Sequence, residues 1–121
     1  VPAEYLPPYY VVYDLCVGHN AEAFVNGGHI GVIGLWNTAK LTIDNGAVVD
    51  VIKPHHSSVK TGKVTIKAGT TVGTIDFSRV ADNKRGTVNF EIEDGATINN
   101  IVDAYGNKYA SIDDYKANNP M

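Results

Sequence analysis

The sequence predicts an all-β chain in which one short segment is repeated and stacked on copies of itself. Three observations support this prediction: four segments align on a glycine, apolar residues alternate within each segment, and turn-forming residues recur at matched places. The aligned glycines are Gly27, Gly46, Gly69 and Gly95, with spacings of 19, 23 and 26 residues. Such spacings indicate a repeat architecture, which has to be recognised before any local motif is interpreted.

The positions around the aligned glycines are aliphatic or aromatic in every copy. The four segments are Phe24–Ile33, Leu41–Ile52, Val64–Ile75 and Phe90–Ile101. The third residue before the glycine is Phe24, Ile43, Ile66 or Ile92. The third residue after it is Ile30, Val49, Val72 or Ile98, and the sixth is Ile33, Ile52, Ile75 or Ile101. We expect each set to form one apolar column.

Each repeat contains the signals of strands joined by tight turns. Apolar and polar residues alternate before the glycine, as in Leu41–Asp44, and this is the period of a half-buried strand. Asn45-Gly46 and Asp94-Gly95 are turn signals, because glycine takes positive φ without steric cost. The alternation resumes after the turn and then breaks once more. One repeat is therefore predicted to contain strand, turn, strand, turn and strand, with one apolar face.

A single repeat cannot bury its apolar face, but stacked neighbours can. The variable spacing does not fit the fixed hexapeptide period of left-handed solenoids and favours a short right-handed parallel β-helix of about four coils. On this prediction, residues 21–101 form the coils, and the extra residues 53–63 and 76–87 form loops on the outside. The alternative is an antiparallel sandwich or jelly roll, whose hairpins recur every ~8–12 residues.

The amino-terminal segment differs from the repeats. Residues Val1–Tyr13 contain three of the five prolines and four of the seven tyrosines. Pro7-Pro8 imposes an extended path, and large aromatic side chains are typical of interface cores. We predict that residues 1–20 form an extended arm and a first strand, and that the arm caps the stack or binds another chain. The predicted partner-binding residues are Tyr5, Leu6, Pro7, Pro8, Tyr9, Tyr10 and Tyr13.

The carboxy-terminal residues 102–121 are predicted to cap the other end. Tyr105–Lys108 has the sequence of a short hairpin turn around Gly-Asn. Ser111, with a carboxylate three residues later, has the pattern of a helix start. A helix of one or two turns with Ile112 and Tyr115 facing inward would cover the last repeat. Stacked repeats need such caps because their end faces expose strand edges and apolar interior.

Composition excludes several classes of function. The net charge of −3 provides no basic surface for nucleic acid, and no apolar run approaches the ~18 residues of a membrane span. The lone Cys16 cannot form an internal disulfide and, between Leu15 and Val17, is predicted to be a buried structural thiol. Val1–Tyr10 lacks the features of a secretory signal, which favours a protein that is used without export, although a cleaved precursor would look the same.

Catalytic and metal-binding constellations are not evident in the sequence, and we predict no catalytic residue, no cofactor and no metal. Asp44, Lys67 and Glu93 each lie two residues before a glycine, which predicts an outward column of alternating charge and not a catalytic carboxylate pair. His55-His56 lies in a predicted loop, where adjacent side chains point apart and are poor joint ligands. Trp36 is a candidate carbohydrate-binding residue, with simple packing as the alternative.

The repeated pattern Φ-x-I-x-x-G-[AT]-x-[VI]-x-x-[IV], over Phe24–Ile101, resembles the coils of right-handed β-helix proteins. These include bacteriophage structural and receptor-binding proteins, bacterial adhesins and polysaccharide lyases. The lyases are similar in coil but much longer, with a groove built from many coils, so the resemblance implies no catalytic motif here. Because fold does not determine function, any role that the resemblance implies is an expectation.

The resemblance implies a non-enzymatic structural protein of a virus particle, such as a bacteriophage capsid decoration or attachment protein. The arm would bind a capsid shell, the protein would reside in the virion after assembly in the host cytoplasm, and a homotrimer is a candidate assembly. No nucleic-acid or membrane partner is expected. The alternative is a carbohydrate-binding or adhesin module, secreted or at the cell surface, that acts through Trp36.

Overall fold

A computed structural model describes residues 12–18, 20–36, 38–55, 62–80 and 88–119 of the 121-residue chain. Within these residues the strands are β1 (Val12–Val17), β2 (Glu22–Asn26), β3 (His29–Trp36), β4 (Lys40–Asp44), β5 (Val48–His55), β6 (Val64–Ile66), β7 (Thr71–Asp76), β8 (Phe90–Ile92) and β9 (Thr97–Val102). A helix, α1 (Ile112–Asn118), follows β9. No helix in the described part of the chain is long and apolar enough to span a lipid bilayer.

The strands form two parallel sheets, and the chain passes from one sheet to the other at every turn. One sheet has the order β1-β3-β5-β7-β9, and the other has the order β2-β4-β6-β8. Strand pairing in both sheets is parallel and joins each strand to the next-but-one strand in sequence. Neither sheet is closed. The protein is therefore all-β with parallel sheets, and the antiparallel sandwich alternative is wrong.

The pairing register confirms the columns predicted after the glycine. In the five-stranded sheet, Ile30 pairs with Val49, Val49 with Val72, and Val72 with Ile98. The second column joins Ile33, Ile52, Ile75 and Ile101 in the same way. Most of these side chains are buried in one apolar core, although Ile98 is half-buried. Because stacking places like residues over like residues, each repeat buries the apolar face of its neighbour.

The column predicted before the glycine is correct in three repeats and wrong in the first. Ile43, Ile66 and Ile92 are in register, but Val25 and not Phe24 pairs with Ile43. Val25 is 1% exposed, whereas Phe24 is 63% exposed. Asn26 pairs with Asp44, and His29 pairs with Val48. Only two residues lie between Asn26 and His29, whereas three lie between Asp44 and Val48. The shorter turn moves the preceding strand by one residue and reverses the face of each side chain.

The shorter turn depends on two consecutive glycines with left-handed backbone. Gly27 has a φ of 88° and Gly28 a φ of 81°, and only glycine adopts such values without steric cost. In the second repeat, Asn45 and Gly46 take this conformation, with φ values of 57° and 71°. The turn predicted at Asn45-Gly46 is therefore confirmed.

The strands of the five-stranded sheet change direction at one interior position. Val49 and Ile52 are both buried although they lie three residues apart, which breaks the period of two expected for a straight strand. At the bend, a Cβ on Gly73 would lie 2.7 Å from the backbone oxygen of Asp50. The two backbones approach each other too closely for a side chain at this position. The break of alternation predicted within each repeat is thus present, but it is a bend within one strand, so the predicted second turn and third strand of each repeat are wrong.

Two of the predicted outer loops begin later than expected. Lys53, Pro54 and His55 belong to β5 and pair with β3, and Pro54 is buried. Asp76 belongs to β7, so the second loop begins at Phe77, and its residues Phe77 and Val80 are buried in the core. The polar and proline-containing sequence of Lys53–His55 is typical of a loop. It forms a strand here because β3 continues to Trp36 and provides a partner strand. Residues 56–61 and 81–87 lie outside the described part of the chain.

The first strand and the cap follow the predicted order of elements. β1 pairs with β3 through Val12–Val17. Cys16 is exposed, because the alternation that buries Val17 turns its neighbour outward, so the predicted buried thiol is wrong. In the cap, the Ser111 hydroxyl accepts a hydrogen bond from the Asp114 N–H at 3.0 Å, and Ile112 and Tyr115 are buried. The helix start and its inward face are therefore confirmed.

The hairpin before the helix is closed around a buried carboxylate. Val102 forms an antiparallel bridge with Lys108, and Gly106 has a φ of 81°. The Asp103 carboxylate, in a residue 6% exposed, accepts hydrogen bonds from the backbone N–H groups of Tyr105 and Asn107 at 2.8 and 3.0 Å. It also accepts one from the Tyr109 hydroxyl at 2.7 Å. One carboxylate therefore accepts hydrogen bonds from two backbone N–H groups, the Asn107 side-chain amide and the Tyr109 hydroxyl.

Candidate functional site

The predicted docking arm falls largely outside the described residues. Tyr5, Leu6, Pro7, Pro8, Tyr9 and Tyr10 all lie there, so their role in partner binding stays a prediction. The backbone of Tyr13 belongs to β1 and takes part in the five-stranded sheet. Strand pairing begins at Val12, so Tyr13 lies within the first strand and not before it.

Trp36 lies at the end of β3 and stacks on a histidine from the next repeat. Its ring is 4.2 Å from the ring of His55, measured between centroids, with an interplanar angle of 12°. The indole also lies over Gly34, where a Cβ would be 2.6 Å from the ring. Both Trp36 and His55 are half-buried. Among the described residues, the indole is thus in contact with His55 and Gly34 and keeps part of its surface exposed.

The surroundings of His55 favour the neutral imidazole. Burial lowers the pKa of His55, and the positive charges of Arg79 and Lys53 lower it further, whereas Asp76 acts in the opposite direction. The Lys53 ammonium lies 3.9 Å from the Asp76 carboxylate. The Trp36–His55 stack is therefore an uncharged aromatic surface bordered by charged side chains.

The outer face of the four-stranded sheet carries ion pairs between neighbouring repeats. The Lys67 ammonium lies 3.1 Å from the Glu93 carboxylate, and the Lys63 ammonium lies 2.6 Å from the Glu91 carboxylate. The hydrogen bond to Glu93 is the main cause that raises the pKa of Lys67, and the charge of Asp44, one repeat earlier in this face, contributes less. The predicted column of Asp44, Lys67 and Glu93 is therefore confirmed, and the Lys63–Glu91 pair is an addition that the sequence did not reveal.

These ion pairs keep the carboxylates charged. The hydrogen bond from Lys63 is the main cause that lowers the pKa of Glu91. For Glu93, the backbone N–H of Ala68 is the main cause and the Lys67 ammonium the next. A carboxyl group whose pKa is lowered is a poor proton donor near neutral pH. Glu91 and Glu93 consequently fit a structural, charge-paired role and not that of a general acid.

The histidines with described side chains do not converge. His29 places its Nε2 atom 2.8 Å from the Asp50 carboxylate, at the beginning of β3, whereas His55 lies at the end of β5. Seven residues of strand, up to about 23 Å of path, separate the two positions along the paired strands. Among the described residues, no group of three or more His, Cys, Asp or Glu side chains is arranged to hold a metal ion.

The last repeat contains an apolar groove that the sequence did not predict. The groove has a volume of about 500 Å³ and lies between β8, β9 and the start of α1. Its apolar lining consists of Phe90, Ile92, Ala96, Ile98, Ile101, Ala110 and Ile112. The first four of these side chains remain half-buried. Within the part of the chain that the structure describes, the cap therefore covers only part of the last repeat, and the groove forms an apolar end face.

Helix α1 covers the other part of the last repeat through aromatic packing. Tyr115 stacks on Phe77 with ring centroids 4.1 Å apart, and Tyr109 meets Tyr115 edge-on at 5.1 Å. Phe77 in turn contacts Phe90 edge-on at 5.6 Å. This cluster attaches Phe90, which lines the groove, to the core through Phe77. Aromatic pairs of this geometry contribute more to stability than the burial of their surface alone. The groove is thus a defined surface and not a gap between loose segments.

Comparison with known proteins does not assign this chain to a family. No protein-family description, no curated protein and no solved structure matches the chain. Function therefore has to be inferred from the fold and from its candidate surfaces.

Proposed function

We propose that the two parallel sheets form a short right-handed parallel β-helix of about four coils. The support comes from the alternation of the chain between the sheets, with each strand pairing one repeat further along. Parallel crossover connections are right-handed in roughly 98% of cases, which gives the hand of the proposed coil. Stacked coils contact only their immediate neighbours and so form a rigid rod-like unit.

We propose further that the chain is a non-enzymatic structural component of a virus particle, a bacteriophage capsid decoration or attachment protein. The observation that carries this proposal is the self-contained lateral face, where Lys67 and Lys63 neutralise Glu93 and Glu91 across neighbouring repeats. Such a face suits a rigid spacer whose contacts are made at its ends. The choice of a bacteriophage particle rests on the resemblance of the repeats to phage β-helix proteins, which is an analogy at the level of fold.

In this proposal the chain docks on the capsid shell through Tyr5, Leu6, Pro7, Pro8, Tyr9, Tyr10 and Tyr13. Aromatic side chains on a proline-stiffened segment lose little entropy when they are buried in an interface. The partner is another virion protein, with a homotrimer as a candidate assembly. Neither nucleic acid nor a membrane is required for this role.

The test measures how much of the full chain is present in purified particles. The chain is expressed in cells that produce the particles, and its copy number is measured by quantitative mass spectrometry after density-gradient purification. We expect a fixed copy number, a large loss for the Tyr9→Ser/Tyr10→Ser double variant, and no loss for Tyr105→Ser. Tyr105 is a matched control because it is an exposed tyrosine in the cap, 67% accessible to solvent.

Two outcomes would contradict this proposal. If the full chain is absent from the particles, it is not a particle component. If the double variant is retained at full copy number, the arm is not the docking segment. Circular dichroism of each purified variant establishes that any loss is not a failure to fold.

A carbohydrate-binding role is the second candidate, and the half-buried Trp36–His55 stack favours it. Aromatic faces at a surface suit the apolar faces of sugar rings. On a glycan array, the full chain should bind a defined set of glycans, and Trp36→Ala should abolish that binding. Phe24→Ala is the matched control, since Phe24 is an exposed aromatic residue outside the stack. Absence of binding across a broad array would count against this role.

A further inference from the structure

We propose that the groove at the last repeat is a second docking site, which binds an extended segment of another protein with alternating apolar and basic residues. The proposal does not depend on the amino-terminal arm or on the identity of a particle. It rests on three properties of the described residues: an apolar floor, unpaired strand edges and a surplus of carboxylates at the rim.

The floor of the groove is the end of the apolar columns. Phe90, Ile92 and Ile98 are half-buried, whereas their paired residues in the preceding repeat, Val64, Ile66 and Val72, are buried. The difference arises because the preceding repeat is covered on both sides and the last is covered on one side. An apolar segment laid along the groove would remove this surface from water, which is the main source of affinity in such contacts.

The edge of the groove can accept a strand. β8 and β9 are the last strands of their sheets within the described residues, and an outer strand presents a row of N–H and C=O groups to a further strand. The cap occupies one end of β9, where the Tyr109 N–H donates to the Ile101 oxygen at 2.9 Å. β8 and the beginning of β9 remain, and this length suits a short extended peptide.

The rim of the groove specifies the charge of the segment. Asp113 lines the groove on the helix side, Glu91 is the middle residue of β8, and Glu93 and Asp94 follow the end of that strand. Hydrogen bonds from lysine and backbone lower the pKa values of Glu91 and Glu93, so both are charged at neutral pH. Lys63 and Lys67 pair with Glu91 and Glu93, so the surplus of negative charge among these described residues comes from Asp94 and Asp113. A basic segment is therefore favoured and an acidic one is repelled.

The chain itself contains a segment with the required pattern. β6 and its flanking lysines, Lys63–Gly69, pair with the inner edge of β8 by apolar contacts and two ion pairs. The outer edge of β8 carries the same glutamates and the same apolar floor. A ligand for that edge should consequently resemble KVTIKAG, with lysines at the outward positions and aliphatic residues at the inward ones.

The test uses this seven-residue sequence as the probe and the full chain as the receptor. A capped KVTIKAG peptide is titrated into isotope-labelled protein, and amide chemical shifts are recorded by NMR. We expect saturable shifts in β8, β9 and the start of α1. EVTIEAG should bind roughly ten-fold more weakly, because two attractive charge pairs become repulsive, and KSTSKAG should show no saturation.

Protein variants locate the binding in the groove. Glu91→Gln/Glu93→Gln should weaken the binding of KVTIKAG several-fold, whereas Glu22→Gln, an exposed glutamate in the first strand of the same sheet, should have no effect. Ile98→Ser should abolish binding by removing part of the floor. If Ile98→Ser does not fold, the glutamate variants and the three peptides decide the question without it.

Three results would overturn the proposal. The first is equal affinity for the lysine and glutamate peptides, and the second is no saturable binding of KVTIKAG. The third is concentration-dependent association of the protein alone, seen by light scattering and accompanied by shifts at the groove, which would make a second copy the occupant. A monomer that binds KVTIKAG and discriminates against both altered peptides supports a separate basic segment as the partner.

Discussion

Replacing Val25 and Phe24 separately by alanine tests the register of the first repeat. Val25 is 1% exposed and Phe24 is 63% exposed. Val25→Ala removes two buried methyl groups, about 1.6 kcal/mol of transfer free energy at ~0.8 kcal/mol each, and leaves a cavity, so we expect a loss of about 2–3 kcal/mol. Phe24→Ala should cost less than about 1 kcal/mol, as expected for a largely exposed side chain.

The alignment of glycines makes the opposite prediction for these two residues. If Phe24 occupied the column of Ile43, its truncation would cost about 3–5 kcal/mol. The free energy of unfolding is measured by urea denaturation followed by circular dichroism, with equal m-values as evidence of a common mechanism. Ile43→Val is the control for a buried position and should cost about 0.5–1.5 kcal/mol. A larger loss for Phe24→Ala than for Val25→Ala would refute the pairing of Val25 with Ile43.

Three further predictions concern the backbone bend, the tryptophan contact and the buried carboxylate. Gly73→Ala should destabilise by about 1–3 kcal/mol, because the new Cβ would approach the Asp50 oxygen, whereas Gly18→Ala, with open space around its Cβ, should cost little in the same urea assay. Gly34→Ala should displace the only indole and shift its fluorescence emission. Burial opposes ionisation of Asp103, yet its hydrogen bonds prevail and lower its pKa, so its stabilising effect is full above the unfolded pKa and is lost as the pH falls through the lower folded value. Asp103→Asn should therefore cost about 1–3 kcal/mol at neutral pH and flatten the loss of stability below about pH 4.

The stacking of the repeats could be predicted because it is encoded locally. Turn glycines and alternating aliphatic residues recur in each copy, so three of the four copies align without ambiguity. The first copy could not be aligned by one glycine. Gly27 gives the correct partners after the turn, where Ile30 meets Val49, whereas Gly28 gives the correct partner before it, where Val25 meets Ile43. Because this turn is one residue shorter than the others, no single glycine aligns both the strand before it and the strand after it.

The extension of β5 and the exposure of Cys16 could not be read from local sequence. Lys53–His55 has the composition of a loop, and it becomes a strand because β3 lies beside it. Cys16 is flanked by apolar residues, but its face depends on the phase of the strand, which Val17 determines by entering the core. In both cases tertiary context outweighs local preference.

The candidate surfaces were predictable to different degrees. Trp36 and His55 each lie nine residues after an aligned glycine, so their stacking could have been inferred from the repeat frame. The charge column from Asp44 to Glu93 was inferred in that way. The groove could not be predicted, because it depends on how much of the last repeat the cap covers. That extent is decided by the packing of Tyr115 against Phe77 and not by any pattern in the repeats.

The middle and the end of the stack should respond differently to substitution. In the middle, each strand supplies the apolar and charged partners of the next, so Ile66, which is fully buried, contributes to stability and to no external contact. At the last repeat, the same positions face no further strand among the described residues, and on our proposal they bind a peptide segment. Ile66→Ala should therefore lower stability by about 2–5 kcal/mol without changing peptide selectivity among folded molecules. Glu91→Gln should change peptide selectivity and leave the free energy of unfolding nearly unchanged. Stability and recognition are separated in this way because a middle repeat is covered on both sides, whereas the described residues cover the last repeat on one side.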